Sequence, residues 1–252
     1  MSVLTAPFFL AISIINHGFC NGSTHMDCIE SERQALLRFK QDLIDSSNRQ
    51  PLGLLPMDIV AHGLGTIGGK INLALLDLKR LIFLDSSDNY FGVQIPNFLG
   101  SMKNLRYLDL SGSKYVGMVP PQLGNLSNLH HLNLGGNPLI AENLNWVSSL
   151  SSLQHLDFSA LDIQKPSDTF PIINTLPSLR VLRLSSCGLT HLPDSLPNLN
   201  FSSLVNLDLS ANFFNNSLIP GWIFSLNDFV VFNLRATSLS GPISDGLQNL
   251  LH

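Results

Sequence analysis

The chain is poor in charge. Lys, Arg, Asp and Glu make up 13% of its 252 residues, about half the usual share for a soluble domain. The net charge is −4, so there is no basic field to attract nucleic acid, and nucleic acid is excluded as a partner. Cysteine is scarce: Cys20, Cys28 and Cys187 are the only three. An odd number excludes complete pairing, and Cys28 has no evident partner if Cys20 leaves with a leader. No Gly-rich phosphate loop, nucleophile elbow or paired-Cys motif occurs, so no cofactor is implied. Beyond the first residues no apolar run reaches the roughly 18 residues of a membrane span.

Apolar residues are plentiful at 44%, ample for a core. Val3 to Ile15 is an apolar run and the first charged residue is Asp27. That pattern predicts a signal peptide over residues 1–22, with small residues near Gly18 to Gly22 as the cleavage region. Four Asn-x-Ser/Thr tripeptides, at Asn21, Asn125, Asn200 and Asn215, agree with export.

The dominant signal is repetition. The pattern L-x-x-L-x-L-x-x-N starts at Leu81, Leu105, Leu129, Leu153, Leu179 and Leu204, and with Phe in place of Leu at Phe229. Its intervals of 24, 24, 24, 26, 25 and 25 fall in the range of leucine-rich repeats. The predicted fold class is an α/β solenoid, a leucine-rich-repeat horseshoe with one short parallel strand per repeat. In each unit the leucines, such as Leu105, Leu108 and Leu110, face inward, because a single repeat buries its apolar face only against its neighbours. An Asn at the turn after the strand can satisfy buried backbone groups. Asn89, Asn137 and Asn212 hold that place; Ser113, Leu161, Cys187 and Thr237 replace it elsewhere. Leu161 has no hydrogen-bonding group, which predicts an irregular turn there. Cys187 reads as a structural thiol.

Between strands lie "GVQIP" (92–96), "GMVPP" (117–121), "SLIP" (217–220) and "GPI" (241–243), which read as turn punctuation. With the strand pattern they resemble the plant-specific extracellular leucine-rich repeats of receptor-like proteins, receptor kinases and polygalacturonase inhibitors. "CIESERQALLRFKQDLIDSSNR" resembles the N-terminal cap of that class. Ser31 and Gln34 have capping-box spacing, Glu30 and Glu32 suit the positive helix end, and Leu36, Phe39 and Leu43 share a face. The chain resembles most the receptor-like proteins of the fungal-xylanase receptor and apple scab-resistance type, as an N-terminal portion. The cap's Trp, Cys-Cys pair and "W-x-G-V-x-C" signature are missing from residues 50–69. The expected organisation is a signal peptide (1–22), a cap helix region (23–50), a degenerate first repeat or cap remnant (51–80) and seven repeats (81–252), the last incomplete.

On the concave sheet the outward positions form columns about 4.8 Å apart. One runs Phe83, Tyr107, His131, His155, Val181, Asn206, Val231. Its neighbour runs Ile82, Arg106, His130, Gln154, Arg180, Val205, Val230. Tyr and Arg are favoured interface anchors, so Arg106, Tyr107, His131, His155, Arg180 and Arg183 form the candidate ligand strip. A third column, Asp85, Asp109, Asn133, Asp157, Arg183, Asp208, Asn233, repeats one residue type with the period of the fold, whereas catalysis needs distinct roles at unique positions. No catalytic residues are assigned, and the chain is read as a binder and not an enzyme. His131 and His155 with Asp157 invite a metal reading, but no metal is assigned, because His130 and His131 diverge along one strand. Glycans are expected at Asn125, Asn200 and Asn215, of which Asn125 and Asn200 lie just before strands, off the concave columns.

The resemblance implies an ectodomain that recognises a protein, peptide or elicitor ligand in immune signalling through receptor kinase co-receptors. It implies travel through the secretory pathway to the plasma membrane or apoplast, tethered only by a C-terminal segment absent from this chain. Two alternatives stay open: a secreted inhibitor resembling those of polygalacturonase, and a truncated copy without function.

Overall fold

The structure, a computed structural model, describes residues 10–13, 60–61, 71, 73–214, 218–226 and 230–239. The expected cap helix, Cys20, Cys28, Asn21 and Asn215 lie outside the described residues.

Twelve strands occur among them: β1 (Leu10–Ser13), β2 (Val60–Ala61), β3 (Phe83–Asp85), β4 (Tyr107–Asp109), β5 (Gly117–Met118), β6 (His131–Asn133), β7 (Leu139–Ala141), β8 (His155–Asp157), β9 (Asp162–Ile163), β10 (Val181–Arg183), β11 (Asn206–Asp208) and β12 (Val231–Asn233). Seven of these carry the repeat pattern and pair parallel in chain order, β3-β4-β6-β8-β10-β11-β12. The register is the one the repeat spacing dictates, for example Tyr107 opposite His131 and His131 opposite His155. A slip by one residue would turn the central leucines outward, and burial prevents it. Leu84, Leu108, Leu132, Leu156, Leu182 and Leu207 stack as a fully buried row.

Opposite the strands each coil closes through a short 3-10 helix, such as Asn97–Ser101, Pro121–Asn125 and Asn145–Ser149. Pro96 and Pro120 precede the first two in extended geometry, where a residue with no N–H to donate costs nothing. Neighbouring helices touch closely: a Cβ on Gly100 would sit 2.1 Å from the Gln122 carbonyl oxygen. The 26-residue interval is absorbed by Pro166–Asp168 running into the one described α-helix, α1 (Thr169–Ile173).

Three features go beyond the sequence reading. "GMVPP" is not only a turn, because β5, β7 and β9 form a second, three-stranded parallel sheet. At the other end β1 pairs antiparallel with β3, and β2 with β1. The first strand of a solenoid leaves a row of unpaired N–H and C=O groups, and β1 covers it. Residues 10–13 lie within the run read as a signal, so removal of a leader would uncover that edge. Third, the turn at Leu161 is regular. Asp88, Gly112, Gly136, Ala160, Ser186, Ala211 and Ala236, each one residue before the Asn position, all have φ between 53° and 69°. Ala160 adopts the same left-handed turn as the others, and the Leu161 amide donates to the Phe158 carbonyl at 2.9 Å. Leu161 is itself buried, so packing stands in for the missing hydrogen bonds.

The turn residues do the backbone satisfaction expected of them. Asn137 Nδ2 donates to Leu110 and Leu134 carbonyls at 2.8 and 2.9 Å, and its Oδ1 accepts from the Tyr115 amide at 3.0 Å. Asn212 repeats this with Leu184, Leu209 and the Cys187 amide. Cys187 Sγ donates to the Phe158 carbonyl at 3.1 Å, and burial pushes its thiol up to about 12.

Candidate functional site

The alternation of a strand puts residues 107 and 109 on the same face, with Leu108 pointing into the core. The exposed face of the large sheet therefore carries the first and third columns side by side. In the first, four rings lie one on the next. Phe83 and Tyr107 have centroids 4.1 Å apart, Tyr107 and His131 4.0 Å, and His131 and His155 4.1 Å, with interplanar angles of 11°, 11° and 22°. Strand spacing sets this distance, and flat side chains at one register position have room only to stack. Ring faces are consumed by the neighbouring rings, so what remains for a ligand is the ring edges, and His131 Nε2 is itself buried. Stacked parallel, the two imidazoles do not aim their lone pairs at one point. Among the described residues no group of three or more His, Cys, Asp or Glu could hold a metal ion.

The third column has a structural occupation. Oδ1 of Asp85, Asp109, Asn133, Asp157, Asp208 and Asn233 each accepts the amide two residues on, at 2.8–3.1 Å. These Asx turns end the strands. The remaining oxygens are largely engaged across the column: Asn133 Nδ2 donates to Asp109 Oδ2 and Asn233 Nδ2 to Asp208 Oδ2, each at 3.0 Å. Arg183 Nη1 lies 3.5 Å from Asp157 Oδ2.

Burial pushes the Asp109 carboxyl up, but the His131 ring, the Ser111 hydroxyl and amide and the Asn133 amide outweigh it and hold it below the usual range. His131 Nε2 is 3.8 Å from Asp109 Oδ2, an ion-pair distance and not a hydrogen bond, so the Ser111 donors at 2.6 and 2.8 Å carry most of that effect. His131 Nε2 has no hydrogen-bond partner of its own. Burial, the adjoining His131 and Arg183 hold His155 down to about 4, so its ring is neutral near pH 7. Tyr107 is held protonated by burial and by Asp109 and Asp85, and its hydroxyl reaches Asp109 Oδ2 at 3.5 Å.

Of the six residues expected in the ligand strip, Tyr107, His131 and His155 form the ring column and Arg183 stands beside it. Arg106 and Arg180 do not join them. They lie one residue upstream of the strands, exposed on the lip of the sheet, separated by His130 and Gln154. Sequence reasoning left out Phe83, which extends the stack, and Asp109, which underlies it; the shared column position of Phe83 was the available signal. Asn125 and Asn200 are exposed on the helical side, Asn125 at the end of Pro121–Asn125 and Asn200 before Phe201–Ser203.

Comparison with known proteins agrees with this architecture. The Leucine Rich Repeat family profile matches residues 104–126 and 178–199. The chain is 34% identical over 97% of its length to Receptor-like protein EIX1 of Solanum lycopersicum, covering 27% of it. It is 37% identical over 89% of its length to Receptor-like protein EIX2 of the same plant, covering 25% of it. The chain thus spans about a quarter of the length of these curated relatives. Among solved structures, the leucine-rich-repeat ectodomain of the plant membrane receptor kinase GASSHO1/SCHENGEN3 from Arabidopsis thaliana, in complex with CASPARIAN STRIP INTEGRITY FACTOR 2, superposes with a TM-score of 0.61. It is 27% identical, over 70% of this chain and 21% of that one.

Proposed function

This chain is a leucine-rich-repeat protein similar along its length to plant receptor-like proteins, and from that premise we propose that it forms part of an extracellular recognition surface for a protein or peptide ligand. The observation that carries this reading is the ring column Phe83–Tyr107–His131–His155 on the open face of the sheet. It offers half-buried aromatic edges with hydrogen-bonding tips, the mixture that suits interface anchors. The face is read as one that binds and does not catalyse: four Asp and two Asn side chains close strand ends in near-identical copies, and among the described residues no nucleophile–base–orienter set converges on one point. A solved structure of similar fold, the plant peptide hormone receptor RGFR1 in complex with RGF2, supports a polypeptide ligand.

The finer reading is immune perception at the cell surface, with signal passed to partner receptor kinases. Glycans at Asn125 and Asn200 would keep clear of the ring column, since both sit on the helical side; a glycan is proposed at Asn215 as well. The test is a full-length receptor carrying Tyr107→Thr, His131→Thr and His155→Thr, expressed in leaf cells challenged with microbial culture filtrates. Threonine keeps strand propensity while removing the rings. Loss of the elicited oxidative burst with surface abundance unchanged is the expected result; an undiminished burst overturns the reading.

A further inference from the structure

The open face is divided between a row of carboxylates tied into strand-end turns and a lip of arginines that are not tied down. Along the downstream edge the carboxylates keep their charge, but their oxygens are committed to strand-end turns. Asp85, Asp109, Asp157 and Asp208 hold backbone amides, and three of them also meet Asn133, Arg183 or Asn233. Along the upstream lip the cations are not so committed. Arg106 and Arg180 are exposed, and among the described residues no carboxylate lies within ion-pair distance of either. Between them the lip carries only His130 and Gln154, which continue the backbone ladder from the Arg106 carbonyl to the Arg180 amide. Three strand spacings separate the two guanidinium-bearing positions, about 14 Å. In an extended peptide that is the span of about four residues.

We infer that the ligand of this face is an acidic polypeptide segment, lying across the strands with its body on the Tyr107–His131–His155 column and carboxylates near Arg106 and Arg180. This rests on the recognition reading above and narrows it to a charge class. Guanidinium forks match carboxylates bidentately. The bulk charge works against such a ligand, because the whole chain is −4. Selection of an acidic segment therefore has to come from the local lip and not from the overall field. A basic segment would still feel the charge of Asp85, Asp109 and Asp208, but it would find their Oδ1 atoms already accepting backbone amides.

The test is a random 12-residue peptide library displayed on phage and panned against the purified, secreted chain. Enriched peptides are measured against the chain and against two variants, Arg106→Gln/Arg180→Gln and Tyr107→Thr/His131→Thr/His155→Thr. The expected outcome is enrichment of Asp and Glu pairs three to five positions apart, with affinity falling by about tenfold in the arginine variant and the loss shrinking as salt rises. Peptides without acidic enrichment that still lose affinity in the ring variant overturn the acidic ligand while leaving recognition by the column intact. Peptides insensitive to the ring variant overturn the recognition reading, and this inference with it. Both arginines are exposed, so the glutamine variant is expected to fold, which an unchanged urea midpoint verifies.

Discussion

Replacing Asn137 by Ala tests how the turns hold the solenoid together. The side chain is 1% exposed, and it satisfies the carbonyls of Leu110 and Leu134 and the amide of Tyr115 at 2.8–3.0 Å. Alanine leaves all three in a dry interior. Each unmatched group costs about 1–3 kcal/mol, and with partial relaxation the expected loss is about 3–5 kcal/mol. That is a large share of the roughly 5–15 kcal/mol that holds a typical protein folded. Asn137→Ser supplies a graded control, because Ser113 shows what a hydroxyl achieves at the same turn position. Its Oγ donates to the Ser86 carbonyl and accepts from the Asn89 amide at 3.1 Å. Serine at 137 should recover about 1–2 kcal/mol of the loss. Urea unfolding followed by fluorescence of the buried Trp146 and Trp222 reads the difference. An alanine variant within about 1 kcal/mol of the parent, or serine and alanine variants that cannot be told apart, would refute the reasoning.

Gly100→Ala should destabilise by about 1–3 kcal/mol, since the added Cβ would sit 2.1 Å from the Gln122 carbonyl oxygen and 2.5 Å from its carbon; the urea midpoint measures it. Acidification should weaken the fold through His155. Its folded value is near 4 and its unfolded value about 6.5, so the unfolded chain binds the extra proton and stability falls as pH drops from about 6.5 toward 4. His155→Gln should flatten that slope, and because the ring is partly solvated the effect will be well short of the full shift. Cys187 should resist thiol reagents in the native chain, being buried with its thiol at about 12, and react at full rate in urea; prompt native labelling counts against the packing described.

The strands were legible in the sequence because the repeat is its own ruler. Equal intervals between Leu81, Leu105 and Leu129 force Tyr107 opposite His131, and no long-range guess is needed. The turn ladder was legible for the same reason at Asn89, Asn137 and Asn212. Three things were hidden. Gly117–Met118 is two residues long, too short to show alternation, so its strand character emerges only when Leu139–Ala141 lies beside it. The stacking of Tyr107 on His131 depends on rotamers, which spacing does not specify. The Asp column looked like chemistry or generic polarity until the amides of Ser87, Ser111, Ser159 and Ser210 were found on it. Leu161 failed as a predictor because its φ-positive neighbour Ala160 and its own burial secure a turn that hydrogen bonds secure elsewhere.

The central claim is that the open face of the sheet, through its ring column, is where a polypeptide partner lands. The most direct measurement is hydrogen–deuterium exchange of the secreted chain with and without a saturating amount of a selected peptide. The account predicts slowed exchange in the segments spanning 105–111, 129–135 and 153–159, with the helical segments 121–125 and 145–149 unchanged. Protection confined to the helical side, or absent from the three strand segments while the peptide is bound, would contradict it.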